Sequence, residues 1–419
     1  MNLPPHLGEE ILVQKIGTAL KSHQYTVVGQ LLQENIGTTI TLKRVKQLAR
    51  ELRAAPLLRA LSAQKALRKQ KDLIKLPRGD FLQTALFIES SLQTFLEKKQ
   101  YYLPKEQTSL PYALEYDARS KQIFIVLADN TATRIGHGAN KIVTKSILYN
   151  GERSKVVARA LQTKVKKKEI KMIHRLQGLR GIVDVLACSK YKEGAVTYRT
   201  IYSKFYRAGS LHTATIKKYS LSLSEKINIA LNLLQGLKEL HRKRIVHRDI
   251  AVPNCFVDIP PGTVDQRHIV AVLGDLGRAG YIWKSFGKKS KIQGHIPYTP
   301  PEGIFRNKFK KTDYYRGDVY ALGCVLYNLF YDQGASWKNR EVIADKTVPE
   351  EVRYNELVHQ INQCTSPRRH DLALRKASTQ LSPSETFEYL VLRMVDPDPR
   401  KRGSAKRLYK ELSLGIVQK

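Results

Sequence analysis

The run His247-Arg248-Asp249-Ile250-Ala251-Val252-Pro253-Asn254 constrains this chain of 419 residues more than any other stretch. Twenty-one residues after Asn254 comes Asp275-Leu276-Gly277, which closes an apolar run that reads as a strand. A short match of this kind says little alone, because Asx residues are common in ordinary turns. Its register with other segments carries the weight. Ahead of it, Ser224 to His241 reads as a helix, with Ile227, Ala230, Leu231, Leu234, Leu237 and Leu240 at helical spacing. Behind it come Gly294-His295-Ile296-Pro297-Tyr298-Thr299-Pro300-Pro301-Glu302, then Asp318-Val319-Tyr320-Ala321-Leu322-Gly323, then Asp398-Pro399-Arg400-Lys401-Arg402-Gly403-Ser404-Ala405.

In this order the segments resemble the signature of the eukaryotic-type protein kinase superfamily: H-R-D, four residues and N, then D-F-G, then a segment ending in A-P-E. The resemblance covers about two-thirds of the chain. It implies an α+β, bilobal protein kinase fold, with a small β-rich N-lobe and a larger helical C-lobe, here preceded by a helical N-terminal region. It also implies ATP and Mg2+ as cofactors. Asp249 then accepts the proton of the attacking hydroxyl, and Asn254 and Asp275 hold magnesium, a hard cation that takes oxygen ligands. Asp318 caps the backbone of the catalytic loop, and Arg402 pairs with Glu302. Leu276 replaces the usual Phe and keeps an apolar residue beside His247 and Ile173. Ile201 to Tyr206, ahead of Gly209, resembles the hinge, where the backbone at Lys204 and Tyr206 binds adenine and Ser203 gates the back pocket.

The N-lobe departs from the family pattern. Backbone amides approach phosphate closely only where no β-carbon intervenes. Ile135-Gly136-His137-Gly138-Ala139-Asn140-Lys141-Ile142-Val143 supplies two such glycines and the valine that packs on adenine, but Lys141 stands in place of the third glycine. The expected V-A-I-K strand reads Val157-Ala158-Arg159-Ala160, so alanine holds the lysine position, or Arg159 if the register slips by one. Glu169 matches the glutamate that pairs with that lysine. It follows Arg159 by only ten residues, which implies a short or late-starting helix.

Two readings compete for the missing lysine. In kinases of the with-no-lysine group the phosphate-binding lysine sits on the second strand, at the position of Lys141, and a flexible ammonium reaches the same phosphates from there. Otherwise Lys141 is a solvated loop lysine, and the chain is a pseudokinase acting as a nucleotide-binding scaffold or adaptor. Loss of a lysine on one strand with gain on its neighbour favours migration. Arg159 is a third option, and its planar fork is a poor stand-in for a lysine.

The function this implies is transfer of the γ-phosphate of Mg-ATP to a protein hydroxyl. Ala251, Pro253 and His295 contradict one another as markers of hydroxyl class, and the Gly294 to Glu302 pattern leans to serine/threonine over tyrosine. Arg248, beside the catalytic Asp, suits control by a phosphate added at Ser285 or Ser290, amid Lys284, Lys288, Lys289 and Lys291. The alternative is a basic loop without a switch. Ile259 to His268 reads as an enlarged hairpin turn.

Residues 111–419 form the kinase-like domain, with the N-lobe ending near 203, the C-lobe starting near 207, and Tyr112 to Leu127 adding a hairpin. Residues 1–110 read as a helical basic region: Glu9 to Leu20, Tyr25 to Asn35, Leu42 to Leu52, Pro56 to Leu76, and Phe81 to Leu96. Its cations either meet phosphates and acidic membranes or form the solvated face of a bundle. The net charge of +35 favours acidic partners: an acidic protein substrate, a membrane surface, or adsorbed nucleic acid without specific recognition. Four scattered cysteines suit neither a disulfide framework nor a metal site. With no secretory signal and no apolar run of about 20 residues, the expectation is a cytoplasmic or intracellular chain. A secreted effector with an unrecognised leader is the alternative.

Overall fold

The computed structural model describes residues 5–36, 39–74, 81–97, 102–103, 105, 112–138, 141–162, 167–193, 195–211, 219–259, 269–282, 296–303, 313–332, 345 and 347–417. They fall into two compact units, Met1–Val165 with Val185–Phe205, and Lys166–Asp184 with Tyr206–Lys419.

The first unit begins with helices α1 (Pro5–Lys21), α2 (Tyr25–Asn35), α3 (Leu42–Glu51), α4 (Ala55–Arg68), α5 (Lys71–Ile74) and α6 (Phe81–Glu97). Thr41 starts α3 by accepting a hydrogen bond from the Arg44 amide, and Val45, Leu48 and Ala49 form its buried stripe. The single stretch expected over Pro56 to Leu76 divides at Lys69-Gln70, a turn that returns the fully buried Ile74 to the core.

An antiparallel sheet follows: β1 (Tyr102–Leu103), β2 (Ala113–Asp117), β3 (Gln122–Val126), β4 (Arg134–Gly138), β5 (Lys141–Tyr149), β6 (Lys155–Gln162), β7 (Val185–Glu193) and β8 (Val196–Lys204). Its order is β1-β2-β3-β5-β6-β8-β7, with β4 on the first half of β5. The register puts Leu114, Ile125 and Ile147 in one row across a single face. These residues join Leu57, Leu61, Ala85 and Leu86 of the helices in one hydrophobic core. The helices therefore bury their apolar stripes on the sheet rather than only on one another. Glu89 of α6 takes Arg59 at 2.7 Å and the Tyr149 hydroxyl at 3.0 Å, tying the helices to β5.

The second unit holds α7 (Lys167–Leu176), β9 (Gly209–Ser210), α8 (Leu223–Arg242), β10 (Ile245–Val246), β11 (Cys255–Asp258), β12 (Val270–Leu273), β13 (Gly280–Tyr281), α9 (Asp313–Tyr331), α10 (Glu350–Ser378), α11 (Pro383–Met394) and α12 (Ala405–Val417). A capping box between Ser222 and Glu225 starts α8, and its Ile227, Ala230, Leu234 and Leu237 face a core completed by α9 and α11. Cys255 and Cys324 are fully buried free thiols in that core. Among the described residues no helix is long and apolar enough to cross a membrane.

Gly236 of α8 lies directly against the backbone of Gly181, and a β-carbon there would overlap the Gly181 carbonyl oxygen. Gly236→Ala is expected to cost about 1–3 kcal/mol by overpacking. A thermal melt of the variant checks this as a drop of several degrees.

Candidate active site

The catalytic loop leaves β10 at His247. Asp318, near the start of α9, organises it by accepting the amides of His247 at 2.8 Å and Arg248 at 2.9 Å, and it also bonds the His241 ring at 3.1 Å. Burial alone would raise the Asp318 carboxyl; the His241 bond and the backbone donors outweigh it and hold the pKa below the usual carboxylate range. This clamp keeps Arg248 in the left-handed region (φ 66°), a conformation costly for a side chain with a β-carbon and concentrated at functional sites.

His247, fully buried, bonds the Gly274 carbonyl at 2.9 Å, and so connects the loop to the segment ahead of Asp275. Asn254 ends a 3-10 turn over Val252–Asn254, where Pro253 presets the backbone. Its Nδ2 donates to the Asp249 carbonyl at 2.9 Å, which leaves the Oδ1 side of the amide as the acceptor. Gly274 N donates to the Asn254 carbonyl at 2.7 Å, so the two predicted metal ligands are braced by one backbone bond. Asp275 is itself left-handed (φ 50°) and caps a short turn, Leu276–Arg278, through Gly277. A β-carbon on Gly277 would meet Asp275 Oδ1 at 3.2 Å and Glu169 Oε1 at 3.5 Å. Glu169 of α7 thus stands beside the Asp275 turn, and Leu276 is buried in the core with Met172.

An amide oxygen and a carboxylate suit magnesium, which is held by one or two protein oxygens with the rest of its shell from phosphate and water. Asn254 and Asp275 are the residues that would hold it. Bound there, the ion would neutralise charge on the phosphates.

In the first unit, strand parity separates the two candidate cations. The pairs Lys141↔Gln162, Val143↔Ala160 and Lys145↔Ala158 put Lys141, Val143, Ala158 and Ala160 on one face of the sheet. Ser203, paired with Ala158, shares it. Gly136 pairs with Val143, and no described atom lies within 4 Å of where its β-carbon would sit, so the described packing does not demand the glycine. Ile135, at the bulge before it, is 41% exposed. Gly138 pairs with Lys141; Ala139 and Asn140 lie outside the described residues.

Arg159 occupies the other face. It is buried, and its Nε (3.2 Å) and Nη2 both donate to Glu115 Oε1, whose second oxygen takes Ser189 at 2.8 Å. Both partners come from distant strands, and no sequence pattern linked them to Arg159. The one available signal was Glu115 itself, one of two acids, with Asp117, in a strand that proves buried throughout. Removing one member of a buried pair leaves the other charge desolvated, at about 3–5 kcal/mol. Glu115→Gln should lower the melting temperature accordingly, and a thermal melt checks it.

Tyr206 ends the segment Ile201 to Tyr206, and its ring is buried against Phe256 with the hydroxyl accepting the Asp184 amide at 3.1 Å. Burial pushes this phenol up to about 12. Lys204 lies at the end of β8, paired with Val157.

The end of the family signature is also in place. Arg402, fully buried, is bidentate to Glu302, with Nη2–Oε2 at 2.7 Å, and donates to the Asp396 carbonyl at 2.6 Å. A model of the protein kinase domain matches residues 130–412. The chain belongs to the protein kinase domain family. Its two units carry the β-rich and the helical parts of the bilobal α+β kinase fold.

Relatives of this kinase domain include the probable serine/threonine-protein kinase zyg-1 of Caenorhabditis briggsae, 29% identical over 200 residues, 47% of this chain and 26% of that protein. The Wee1-like protein kinase of Oryza sativa subsp. japonica is 27% identical over 188 residues, 45% and 28% of the two chains. The serine/threonine-protein kinase par-4 of Caenorhabditis elegans is 33% identical over 111 residues, 26% and 16%. The chain spans between 16% and 28% of the length of these relatives.

Two further features of the kinase domain stand apart from the sequence reading. Arg248 donates through Nε to the Arg278 carbonyl at 2.8 Å, and burial lowers its pKa. Arg278 in turn reaches Asp249, with Nε 3.5 Å from Oδ2. Ser285, Ser290, Gly294 and His295 lie outside the described residues, as does the turn at 260–268.

Proposed function

We propose that the chain is a protein kinase that transfers the γ-phosphoryl group of Mg-ATP to a protein hydroxyl. Asp249 acts as the base, Asn254 and Asp275 hold magnesium, and Lys141 serves as the phosphate-binding cation. The observation that carries the reading is the catalytic loop itself. The left-handed backbone at Arg248 and Asp275, the Asp318 clamp and the bond from the Gly274 amide to the Asn254 carbonyl support this reading, since strained backbone concentrates at functional sites. The buried pairing of Arg159 with Glu115 supports Lys141 over Arg159 in this role.

Serine or threonine is the acceptor class we favour, in keeping with the relatives' names and the Gly294 to Glu302 pattern. The high positive charge favours acidic substrate surfaces. Free buried thiols suit a reducing compartment. Labelled transfer from γ-labelled ATP to acidic and basic acceptor proteins, followed by phosphoamino-acid analysis, tests this reading. Label on serine or threonine supports it. Label on tyrosine alone overturns the acceptor class, and nucleotide binding without any transfer makes the chain a scaffold.

A further inference from the structure

Phosphoryl transfer spreads negative charge over the oxygens of the group in flight, so a fixed cation at that point lowers the barrier. The catalytic loop supplies no side chain for this after Asp249, where Ile250, Ala251, Val252 and Pro253 follow. Arg248 is turned to the carbonyl of Arg278. A cation nevertheless stands at the base: Arg278 Nε lies 3.5 Å from Asp249 Oδ2.

Arg278 is built into place. Asp275 caps its turn at Gly277, the Ala279 amide donates to the Leu276 carbonyl at 3.0 Å, and Arg248 grips its own carbonyl. Immediately afterwards Gly280 and Tyr281 pair with Val246 and Ile245, the strand that leads into His247. The residue is thus positioned by the two segments that carry the base and the second metal ligand. Its side chain is 46% exposed, whereas that of Asp249 is 9% exposed, so the guanidinium lies at the open side of the base. A guanidinium presents five donors in a planar fork and can bond two anions at once.

We propose that Arg278 is a catalytic residue, bridging the Asp249 carboxylate and the phosphoryl group being transferred. This rests on the kinase reading above. The substrate hydroxyl oxygen forms a bond to the γ-phosphorus while the bond from that phosphorus to the bridging oxygen breaks, its electron pair leaving on ADP. The hydroxyl proton passes to Asp249. Arg278 gains and loses nothing; it donates to Asp249 and to the oxygens on which charge develops. The bland alternative is a half-exposed ion pair, which is worth little.

The test compares wild type, Arg278→Gln and Arg278→Lys in full-length protein. Steady-state kinetics are measured together with calorimetric affinities for Mg-ADP alone and for Mg-ADP with aluminium fluoride, a planar stand-in for the group in flight. Arg278→Gln should lower kcat at least about a hundredfold, the scale of losing one oriented donor to developing charge, with KM values within about threefold. Lysine should restore part of the loss. The added affinity that aluminium fluoride gives Mg-ADP in wild type should vanish in Arg278→Gln, with affinity for Mg-ADP alone unchanged. An active wild type with an equally active or faster Arg278→Gln overturns the inference and leaves the kinase reading standing. So does a variant that loses Mg-ADP binding together with turnover, which marks a structural role. A wild type that transfers nothing overturns the kinase reading, and this inference with it.

Discussion

Asp249→Asn is expected to lower kcat by about two to four orders of magnitude, the usual contribution of a positioned general base. The prediction is sharp because the substitution spares the fold. The bonds that seat residue 249 at His247 Nδ1 and at Asn254 Nδ2 use its main-chain N–H and C=O, which asparagine keeps. An amide also has nearly the same shape as the carboxylate it replaces. What it lacks is an oxygen able to take a proton at neutral pH, and a charge opposite Arg278. Steady-state kinetics beside a thermal melt check the outcome: lost turnover with an unchanged melting temperature.

Lys141→Met should cost transfer almost as heavily, on the order of a hundredfold or more in kcat/KM for Mg-ATP, because a lost point charge at phosphate is not replaced by solvent. The contrast with Arg159→Met is the informative part. Arg159 is buried on the opposite face with Glu115, so its loss strands a carboxylate inside the sheet and is expected to appear as lost stability. Kinetics and melts on both variants separate the roles. Should Arg159→Met melt normally and lose nucleotide affinity while Lys141→Met stays active, the assignment of the two cations is reversed.

Much of the catalytic unit was legible because its signals are local. Asp249, Asn254 and Asp275 lie on one short stretch of chain, and Asp318 and Arg402 announce themselves by neighbours that set helix starts and turns. The helix ahead of the loop was readable from Ile227, Ala230, Leu234 and Leu237, since burial on one face imposes a 3.6-residue period. The N-terminal helices were readable for the same reason, but period shows only that a face is buried and not what covers it. That Leu57 and Leu86 pack on Leu114 and Ile147 of the sheet is a tertiary fact.

The side chain of Arg159 shows the limit most clearly. In a strand, neighbouring residues point to opposite faces, so a slip of one residue converts a phosphate ligand into a core ion pair. Composition around Val157 to Ala160 cannot decide between those. Pairing does: Arg159 stands opposite Thr144 and Tyr202, on the face shared with Glu115 and Ser189, whereas Ala160 takes the place opposite Val143. Arg278 was missed for a different reason. An arginine after an Asp-Leu-Gly turn has no periodic signature, and tertiary contacts, the pairing of β13 with β10 and the bond from Arg248 to its carbonyl, bring it to Asp249.

The most direct measurement is transfer of the γ-phosphoryl from labelled Mg-ATP by the purified full-length wild type, with Asp249→Asn run beside it. Label incorporated by the wild type, dependent on magnesium and absent from the variant, is the predicted result. A wild type that binds Mg-ATP yet leaves every acceptor and itself unlabelled, or an Asp249→Asn variant as active as its parent, would contradict the assignment of this chain as a kinase working through Asp249.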